Sequence, residues 1–412
     1  MSCNLVKIFF IFPSMLLSVG CATYQLDVHQ AKSFLKSHQP EKAAEQLRPL
    51  ASESSDDQLV YLLDYATSLQ LAEKYKESTK AFLAADQIAD YKDYHSISKI
   101  AGSLVLNEGM VQYKGEDFEK VMINVMLAIN FLMEKKYDSA LVEAKKINQK
   151  LNYFIGEGKK KYALNELGFY LSAMVWEINK KWTDAYIDYK QAYDINPRIA
   201  GIGEDLIRTS ALAQRWGDNK KWVRKFPEVK FKKEWKDRNY GELIVLYQQG
   251  WSPKKVARPD NYRFPMFTPV YAGTRQLSIS IDGSNIKQRS RMVYHSGRAA
   301  IKALDEQYAA LVAKRMAGVV VKNQIAQRLD KDNKGLGSLA WIIMNVADQA
   351  DLRHWSTLPN SFQVSRVFLK AGKYKVNMEG LTEYGESGEL FDAKEVQIKK
   401  GRKTFINVRS LN

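Results

Sequence analysis

Cysteine is scarce in this chain of 412 residues, which contains only Cys3 and Cys21. Cys3 belongs to an N-terminal segment that we expect to be cleaved, so one cysteine at most would remain in the mature protein. An intramolecular disulfide is then excluded. The folded protein must depend on packing rather than on covalent cross-links.

Recognisable catalytic motifs are also missing. The chain has five histidines and contains no nucleophile elbow, no His-Glu-x-x-His zinc motif and no Gly-x-x-x-x-Gly-Lys-Ser/Thr phosphate loop. The sequence therefore predicts a protein that is not an enzyme and that has no cofactor and no metal site.

Long hydrophobic runs are rare. The apolar segment Ile8–Leu17 is shorter than the ~20 residues that a membrane-spanning helix needs. It follows Lys7 and precedes small residues, which is the order of a cleaved secretory signal. We assign this signal to residues 1–20.

The signal ends in Ser18-Val19-Gly20-Cys21, which resembles the lipobox of bacterial lipoproteins. The resemblance implies that Cys21 is lipidated and that its acyl chains hold the protein stably on a lipid bilayer. Ala22 instead of aspartate after the cysteine implies the outer membrane, with the protein facing the periplasm. The alternative is an ordinary secretory signal followed by a coincidental cysteine.

Acidic residues are outnumbered by basic ones. The chain has 62 Lys and Arg against 46 Asp and Glu, a formal charge of +16. A surplus of this size favours anionic partners, and we expect phospholipid headgroups or peptidoglycan. Nucleic acid is excluded as a partner because the protein is expected to be exported.

Helical periodicity with few glycines characterises residues 21–218, which we predict to form tetratricopeptide-like helical repeats. The clearest unit, from Phe169 to Pro197, has large, small and aromatic residues in the order of that repeat. Units over 62–85 and 127–147 are similar, and a weaker one covers 43–50. The equivalent small residues are irregularly spaced: Ala43, Ser78, Ala140 and Ala185.

Stacked helical hairpins form a concave surface. One interpretation is that this surface binds a peptide or a protein. The other is that the array is a spacer or packs against the second half of the same chain. The sequence leaves both interpretations open.

Three segments resemble those of uncharacterised bacterial envelope lipoproteins with tetratricopeptide-like repeats. They are Asn107 to Glu119, which includes Tyr113-Lys114-Gly115-Glu116-Asp117-Phe118-Glu119, then Gly241 to Pro253, and Ala350 to Pro359. The resemblance implies an envelope location and no assigned activity. Members of the group often accompany a lipoprotein that resembles the LpoB-type activators of peptidoglycan synthases, which implies a link to cell-wall synthesis.

The acidic residues Glu116, Asp117 and Glu119 could be a metal-binding or catalytic carboxylate set. We interpret them instead as the start of a helix. Carboxylates in the first helical turn complement the helix dipole and accept hydrogen bonds from its free N–H groups.

Residues 219–240 are predicted to be a basic aromatic junction. Trp222, Phe226, Phe231 and Trp235 alternate with lysines and arginines, and Pro227 ends any helix. Such a surface could bind anionic headgroups or glycan polymers. We favour a linker whose aromatic side chains dock on the flanking domains while its lysines are solvated.

Residues 241–412 are predicted to form a β-rich module, so the fold class is α+β with two domains. Strand patterns cover 243–247 and 277–281, and two C-terminal hairpins are expected over 362–378 and 396–408. These strands favour an antiparallel, β-sandwich-like sheet. Two apolar helices are expected within 297–350, buried against the sheet.

A candidate functional cluster follows the second apolar helix and comprises Asp351, Arg353, His354 and Trp355. Asp351 and Arg353 could pair and leave His354 free to act on a substrate. The sequence shows neither a positioned partner nor a cleft for His354. We therefore interpret Arg353 and Trp355 as structural residues that join the helix end to the sheet.

Together these features predict a lipid-anchored, periplasm-facing adaptor or scaffold that binds envelope proteins through its helical repeats. Peptidoglycan synthesis or envelope assembly is the setting that the family resemblance implies. The alternative is a cell-wall protein that binds or modifies glycans.

Overall fold

The structure is a computed structural model that describes residues 20–94, 112–156, 165–332, 338 and 349–412. The predicted signal up to residue 19 and the side chain of Cys21 lie outside this description. The described residues form a helical half followed by an α+β half, which confirms the predicted order of the two.

The described helical half consists of five consecutive two-helix hairpins. Their helices are α1 (Gly20–Lys36) and α2 (Pro40–Ser52), α3 (Gln58–Leu71) and α4 (Tyr75–Tyr94), α5 (Asp117–Met133) and α6 (Tyr137–Gly156), α7 (Glu166–Ile178) and α8 (Trp182–Ile195), and α9 (Ile202–Leu212) and α10 (Trp216–Lys225). The four predicted units correspond to the first four hairpins. The fifth hairpin was not predicted as a repeat.

All five hairpins turn in the same way. The first helix of each pair is followed by one residue in the left-handed conformation, with φ between 54° and 59°. The next N–H then bonds to the carbonyl five residues earlier, as Lys136 does to Phe131 at 2.8 Å, which is a Schellman-type ending. The left-handed residues are His38, Glu73, Lys135, Lys180 and Gln214.

Helix α10 crosses the predicted border between residues 218 and 219. Its Trp222 packs edge-on against Tyr193 of α8, with ring centroids 5.1 Å apart, and its indole N–H donates to Tyr186 at 3.1 Å. Lys220 and Lys221 are exposed. The first part of the junction is thus part of the last helix of the array, and its Trp222 docks on the preceding hairpin.

The described residues of the second half form two four-stranded sheets and one short hairpin. Its strands are β1 (Tyr240–Gln249), β2 (Lys254–Ala257), β3 (Pro265–Thr268), β4 (Gln276–Ile281), β5 (Lys287–Arg289), β6 (Arg291–Tyr294), β7 (Ser361–Lys370), β8 (Gly372–Leu381), β9 (Ser387–Ile398) and β10 (Lys403–Ser410). The mixed sheet has the order β10-β1-β7-β6, and the antiparallel sheet has the order β5-β4-β8-β9. Strands β2 and β3 pair with each other.

The prediction of a purely antiparallel sheet is wrong. Strand β1 pairs with β7 in antiparallel orientation but with β10 in parallel. A parallel pair needs a long connection between its strands. Here all the other strands of the module lie between β1 and β10 in the sequence, so no local sequence pattern reveals that these two strands pair.

Both predicted C-terminal hairpins are wrong as well. One residue, Ala371, separates β7 from β8, yet β7 belongs to the mixed sheet and β8 to the antiparallel sheet. Strands β9 and β10 also belong to different sheets. A hairpin needs a loop of about two residues or more. By crossing between the sheets, each pair of strands contributes apolar residues to one shared core. The hairpin that does form joins β8 to β9.

The mixed sheet is the middle layer of three. Along β1, Leu243, Val245 and Tyr247 belong to the core between the two sheets, whereas Ile244 and Leu246 belong to the core shared with the helices. Burial on both faces explains the nearly continuous apolar run of this strand. The layers are therefore helices, mixed sheet and antiparallel sheet.

The prediction of two apolar helices buried against the sheet is not confirmed. The first corresponds to α11 (Ser296–Asp332), which is buried at Ala300 and Ala303 but leaves Met316 67% and Val320 55% exposed. The second falls on 336–350, almost entirely outside the described residues. Among the helices that the structure describes, none has the length and apolar character required to cross a membrane.

Candidate functional site

The concave surface of the helical array is filled by the second half of the same chain. Every residue of α5 from Phe118 to Leu132 is buried, which adjacent hairpins alone could not achieve because they cover only two sides of a helix. The mixed sheet and the segment 349–360, here called the interface loop, cover the remaining side. Of the two interpretations of the array, the geometry supports packing against its own second half.

The first helix of every hairpin contacts the second half. One contact from each is Tyr24 of α1 to the carbonyl of His354, Asp64 of α3 to Thr357, Glu119 of α5 to Trp355, Glu177 of α7 to Arg366, and Asp205 of α9 to Arg366.

Asp64 holds the middle of the interface loop against α3. Its carboxylate accepts the backbone N–H of Thr357 at 2.9 Å, the hydroxyl of Thr357 at 2.6 Å and the hydroxyl of Tyr24 at 3.0 Å. Burial raises the pKa of Asp64 to about 6, although the hydrogen bonds from Thr357 act in the opposite direction. The carboxylate thus accepts hydrogen bonds from buried donors of the interface loop, which need a partner inside the protein.

Glu119 performs two structural tasks with its two oxygens. One oxygen accepts the backbone N–H of Glu116 at 2.9 Å, which caps the start of α5. The other accepts the backbone N–H of Trp355 at 2.8 Å. The acidic residues at 116, 117 and 119 therefore begin a helix, as interpreted from the sequence, and Glu119 also anchors the interface loop.

Arg353 of the candidate cluster is enclosed by two carboxylates. It binds Asp351 through two nitrogens, at 2.9 Å and 2.7 Å, and it reaches Asp57 at 2.6 Å. Its guanidinium also lies over the ring of Tyr113, 5.5 Å from the centroid. The side chain is 1% exposed, so these carboxylates compensate a fully buried charge.

Trp355 and His354 point in different directions from the same loop. The indole of Trp355 donates to Thr67 at 3.0 Å and packs on Phe82 at 5.7 Å. The imidazole of His354 bonds to the carbonyl of Leu352 at 3.0 Å and contacts Phe267. The structure thus joins this loop to the helical array, whereas a junction with the sheet was expected from the sequence.

This geometry does not suit acid–base chemistry. Burial lowers the pKa of His354 to about 3, and Asp351 is directed at Arg353 rather than at the imidazole. A general base must reach its substrate within hydrogen-bond distance, and His354 is 5% exposed. Among the described residues, no group of three or more His, Cys, Asp or Glu side chains is placed to hold a metal ion.

A second set of polar contacts, here called the six-charge cluster, joins the other end of the array to the mixed sheet. Arg366 of β7 is at its centre, 2.6 Å from Glu242, 2.6 Å from Asp205 and 3.2 Å from Glu177. Lys403 binds Glu177 at 2.6 Å. The members are Glu177, Asp205, Arg208, Glu242, Arg366 and Lys403, three carboxylates and three cations.

Pairing within the cluster stabilises the charged forms of Glu177 and Glu242. Burial alone would raise the pKa of Glu242, but Arg366 and Lys403 hold it well below its usual value. The pKa of Glu177 is likewise lowered, against burial, by Arg208, Lys403 and Arg366. Such a cluster contributes to stability only while every member has its partner.

Most of these interface residues were not predicted from the sequence. Asp64, Glu177 and Glu242 each stand alone in an otherwise apolar run. A lone carboxylate at such a position is costly unless it is paired. That signal could have marked the three residues as interface anchors, but it could not have named their partners.

Comparisons with known proteins are limited to the helical half. Scans of protein-family models and of curated proteins find no match. Similar solved structures include MamA from Desulfovibrio magneticus RS-1, with 14% identity, a TM-score of 0.33, and coverage of 50% of this chain and 91% of that one. A tetratricopeptide repeat protein from Parabacteroides merdae has 10% identity, a TM-score of 0.33 and coverage of 50% and 68%.

At TM-scores this far below 0.5, the likeness gives no information on function. The tetratricopeptide-like character of the array rests on its five equivalent hairpin turns. The resemblance to envelope lipoproteins finds no support in these comparisons, and membrane attachment and cellular location stay predictions.

Proposed function

We propose that the protein is a lipid-anchored, non-catalytic scaffold of the bacterial cell envelope that binds other proteins on the outer side of its helical array. The observation that supports binding on the outer side is that the concave surface of the array is already filled. Because the mixed sheet and the interface loop occupy that surface, a partner would have to displace a large buried interface to enter it. The outer helices present the accessible part of the array.

The outer side of the array carries exposed apolar side chains at equivalent positions. Val142 of α6 is 51% exposed and Ile187 of α8 is 41% exposed. Each lies two residues after the small residue of its repeat, Ala140 or Ala185, which is fully buried. Apolar side chains that recur on neighbouring hairpins are candidate contact points for a protein partner.

The anchor is proposed at Cys21, in the first turn of α1. Because the array begins at this residue, no long linker would separate the acyl chains from the first hairpin. The array would then lie close to the membrane surface.

A photocrosslinking experiment in intact cells tests the proposal. A photoreactive phenylalanine analogue is placed in the full chain at Val142 or Ile187, with Tyr384 as control, since Tyr384 is 82% exposed in the β-rich module. We expect a specific envelope protein to be crosslinked from 142 and 187 and not from 384. Crosslinks from 384 alone, or from none of the positions, would contradict the scaffold.

Fractionation of cells that express a Cys21 variant tests the anchor. Cys21→Ser should move the protein from the membrane fraction to the soluble periplasm with an unchanged circular dichroism spectrum. A variant that stays in the membrane fraction would show that attachment does not depend on Cys21.

A pelleting experiment tests the glycan-binding alternative. Retention of the protein on purified peptidoglycan at high salt would favour that alternative.

A further inference from the structure

A cleft of about 270 Å³ lies between the two halves of the protein. It opens where the first two hairpins meet β8, β9 and β10. One part of its wall is apolar and includes Leu35, Phe391 and Val408, while another is polar and includes Asn407 and Arg409. A cleft of this size and mixed character suits a small organic ligand or the last residue of a peptide.

Arg409 lacks a counter-ion among the described residues. Its Nη2 atom donates to the carbonyl of Thr357 at 2.9 Å. Its Nε and Nη1 atoms are covered from solvent and have no hydrogen-bond acceptor. A guanidinium carries five N–H groups, so three of those on Arg409 are unused. Covered donors without acceptors destabilise a folded protein.

The surroundings of Arg409 carry an excess of positive charge. Two cations lie near the ring of Trp251, with Lys32 4.6 Å from its centroid and Arg409 5.9 Å from it. Burial lowers the pKa of Lys32 to about 8, Asp64 opposes this change, and Lys36, Arg409 and Lys254 add to it. Burial also lowers the pKa of Arg409 to about 9, which leaves it charged at neutral pH.

The acids that line the cleft do not compensate this charge. Glu73 is paired with Lys394 at 2.8 Å. Asp392 lies on β9, and no described ion pair joins it to Arg409. Tyr247 is the group whose electrostatic effect favours the charged form of Arg409. An anion from outside the chain would supply the missing partner.

We propose that this cleft binds a carboxylate group, with Arg409 as its main ligand and the apolar wall as the seat for an adjoining side chain. A carboxylate can accept two N–H groups of one guanidinium in a single plane. The proposal requires the end of the Arg409 side chain to rotate on binding, because its Nε and Nη1 atoms are covered in the structure. A small organic acid and the C-terminus of a polypeptide both present this chemistry.

Calorimetric titration of the full mature chain with N-acetyl-leucine tests the site, and N-acetyl-leucinamide is the uncharged control. We expect the acid to bind at least about tenfold more tightly than the amide, because the charged hydrogen bonds are lost in the amide. Equal affinity, absence of binding, or tighter binding of phosphate at the same ionic strength would overturn the proposal.

One substitution in the cleft and one outside it provide a matched comparison. Arg409→Gln should weaken binding of N-acetyl-leucine at least about tenfold, and it should fold because it removes an uncompensated charge. Lys190→Gln removes an exposed cation on α8, outside the cleft, that pairs with Asp194 at 2.7 Å, so we expect an affinity within about threefold of the unmodified protein. An unchanged affinity in Arg409→Gln would exclude Arg409 as the ligand.

A longer peptide distinguishes the two sources of the carboxylate. A tetrapeptide acid ending in leucine should bind more tightly than N-acetyl-leucine if the cleft receives a polypeptide C-terminus. It should bind equally or more weakly if the cleft is shaped for a small acid. The comparison of acid with amide decides the carboxylate chemistry in either case, independently of any variant.

Discussion

Asp64 shows how one residue can determine the position of a distant loop. It lies in the middle of α3, is fully buried, and accepts two hydrogen bonds from Thr357, which is 293 residues away. A leucine at this position would fit the apolar pattern of the helix but would leave the N–H of Thr357 without an acceptor. Arg353 and Glu119 act in the same way on neighbouring parts of the interface loop.

The pH dependence of stability should reveal the burial of Asp64. Its pKa rises from an ordinary 3.8 to about 6 on folding, so the folded protein holds the proton more tightly than the unfolded chain. The stability that this proton contributes is complete below pH about 4 and is lost as the pH rises through 6. We expect the unmodified protein to lose about 2.4 kcal/mol relative to Asp64→Asn between pH 4 and pH 7.5.

Urea unfolding of both proteins at pH 4, 6 and 7.5 measures this difference. Other buried carboxylates titrate in both proteins, so their contributions cancel in the comparison. The asparagine side chain of the variant can still accept from Thr357 and can donate to the hydroxyl of Tyr24, which should preserve the interface. Parallel pH profiles would show that Asp64 does not titrate with a raised pKa.

At the scale of elements, the fifth hairpin depends on a glycine. Gly203, the second residue of α9, lies against Phe226, and a Cβ atom built at this position would be 2.7 Å from the ring. The absence of a side chain thus lets the residue that follows α10 pack closely on the start of α9. Because a contact between a glycine and a phenylalanine further along the chain leaves no local pattern, the last repeat is hard to recognise in the sequence.

A pair of glycine substitutions tests this packing. Gly203→Ala should destabilise the protein by about 1–3 kcal/mol, because the new methyl group displaces Phe226. Gly217 is the second residue of α10, and no atom lies within 4 Å of the place that a Cβ would occupy there. Gly217→Ala should therefore be neutral or stabilise by about 0.5–1 kcal/mol through helix propensity.

Thermal unfolding of both variants, followed by circular dichroism, gives the comparison. Indole fluorescence of Trp222, which packs beside Phe226, should also change in Gly203→Ala and not in Gly217→Ala. Equal effects of the two substitutions would mean that the contact with Phe226 does not hold the last hairpin in place.

At the scale of the whole molecule, the two halves form one structure. Their shared core extends from Tyr24 of α1 to Leu411 after β10, and the six-charge cluster closes the other end of the same interface. Separating the halves would expose the buried sides of α3, α5 and α7 and leave charged groups without partners. We therefore expect the described chain to unfold as one cooperative unit.

Arg366→Met tests both the cluster and the cooperativity. The substitution leaves Glu177, Asp205 and Glu242 with two cations instead of three, which should destabilise the protein by about 3–5 kcal/mol. Scanning calorimetry should show a single transition that moves to lower temperature.

Lys190→Met provides the control, since Lys190 forms an exposed pair with Asp194 at 2.7 Å. Its loss should cost less than about 1 kcal/mol. A helical transition that keeps its temperature in Arg366→Met would show that the two halves unfold independently.

Local features of the fold could be predicted from the sequence because they are encoded by neighbouring residues. Helical periodicity located the first four hairpins, and the acidic residues at 116, 117 and 119 marked the start of α5. Alternating apolar residues located β4, and a continuous apolar run located β1. In each case the deciding interactions join residues that lie within a few positions of one another.

The tertiary structure alone decided how these parts meet. The sequence shows that Asp64, Glu177 and Glu242 need partners, because a lone carboxylate in an apolar run is costly, but it does not show that Thr357, Arg366 and Lys403 supply them. The parallel pairing of β1 with β10, the crossing of strands between sheets and the filling of the concave surface depend likewise on contacts between distant residues. Many distant pairings satisfy the same local pattern, and only simultaneous packing of all three layers selects among them.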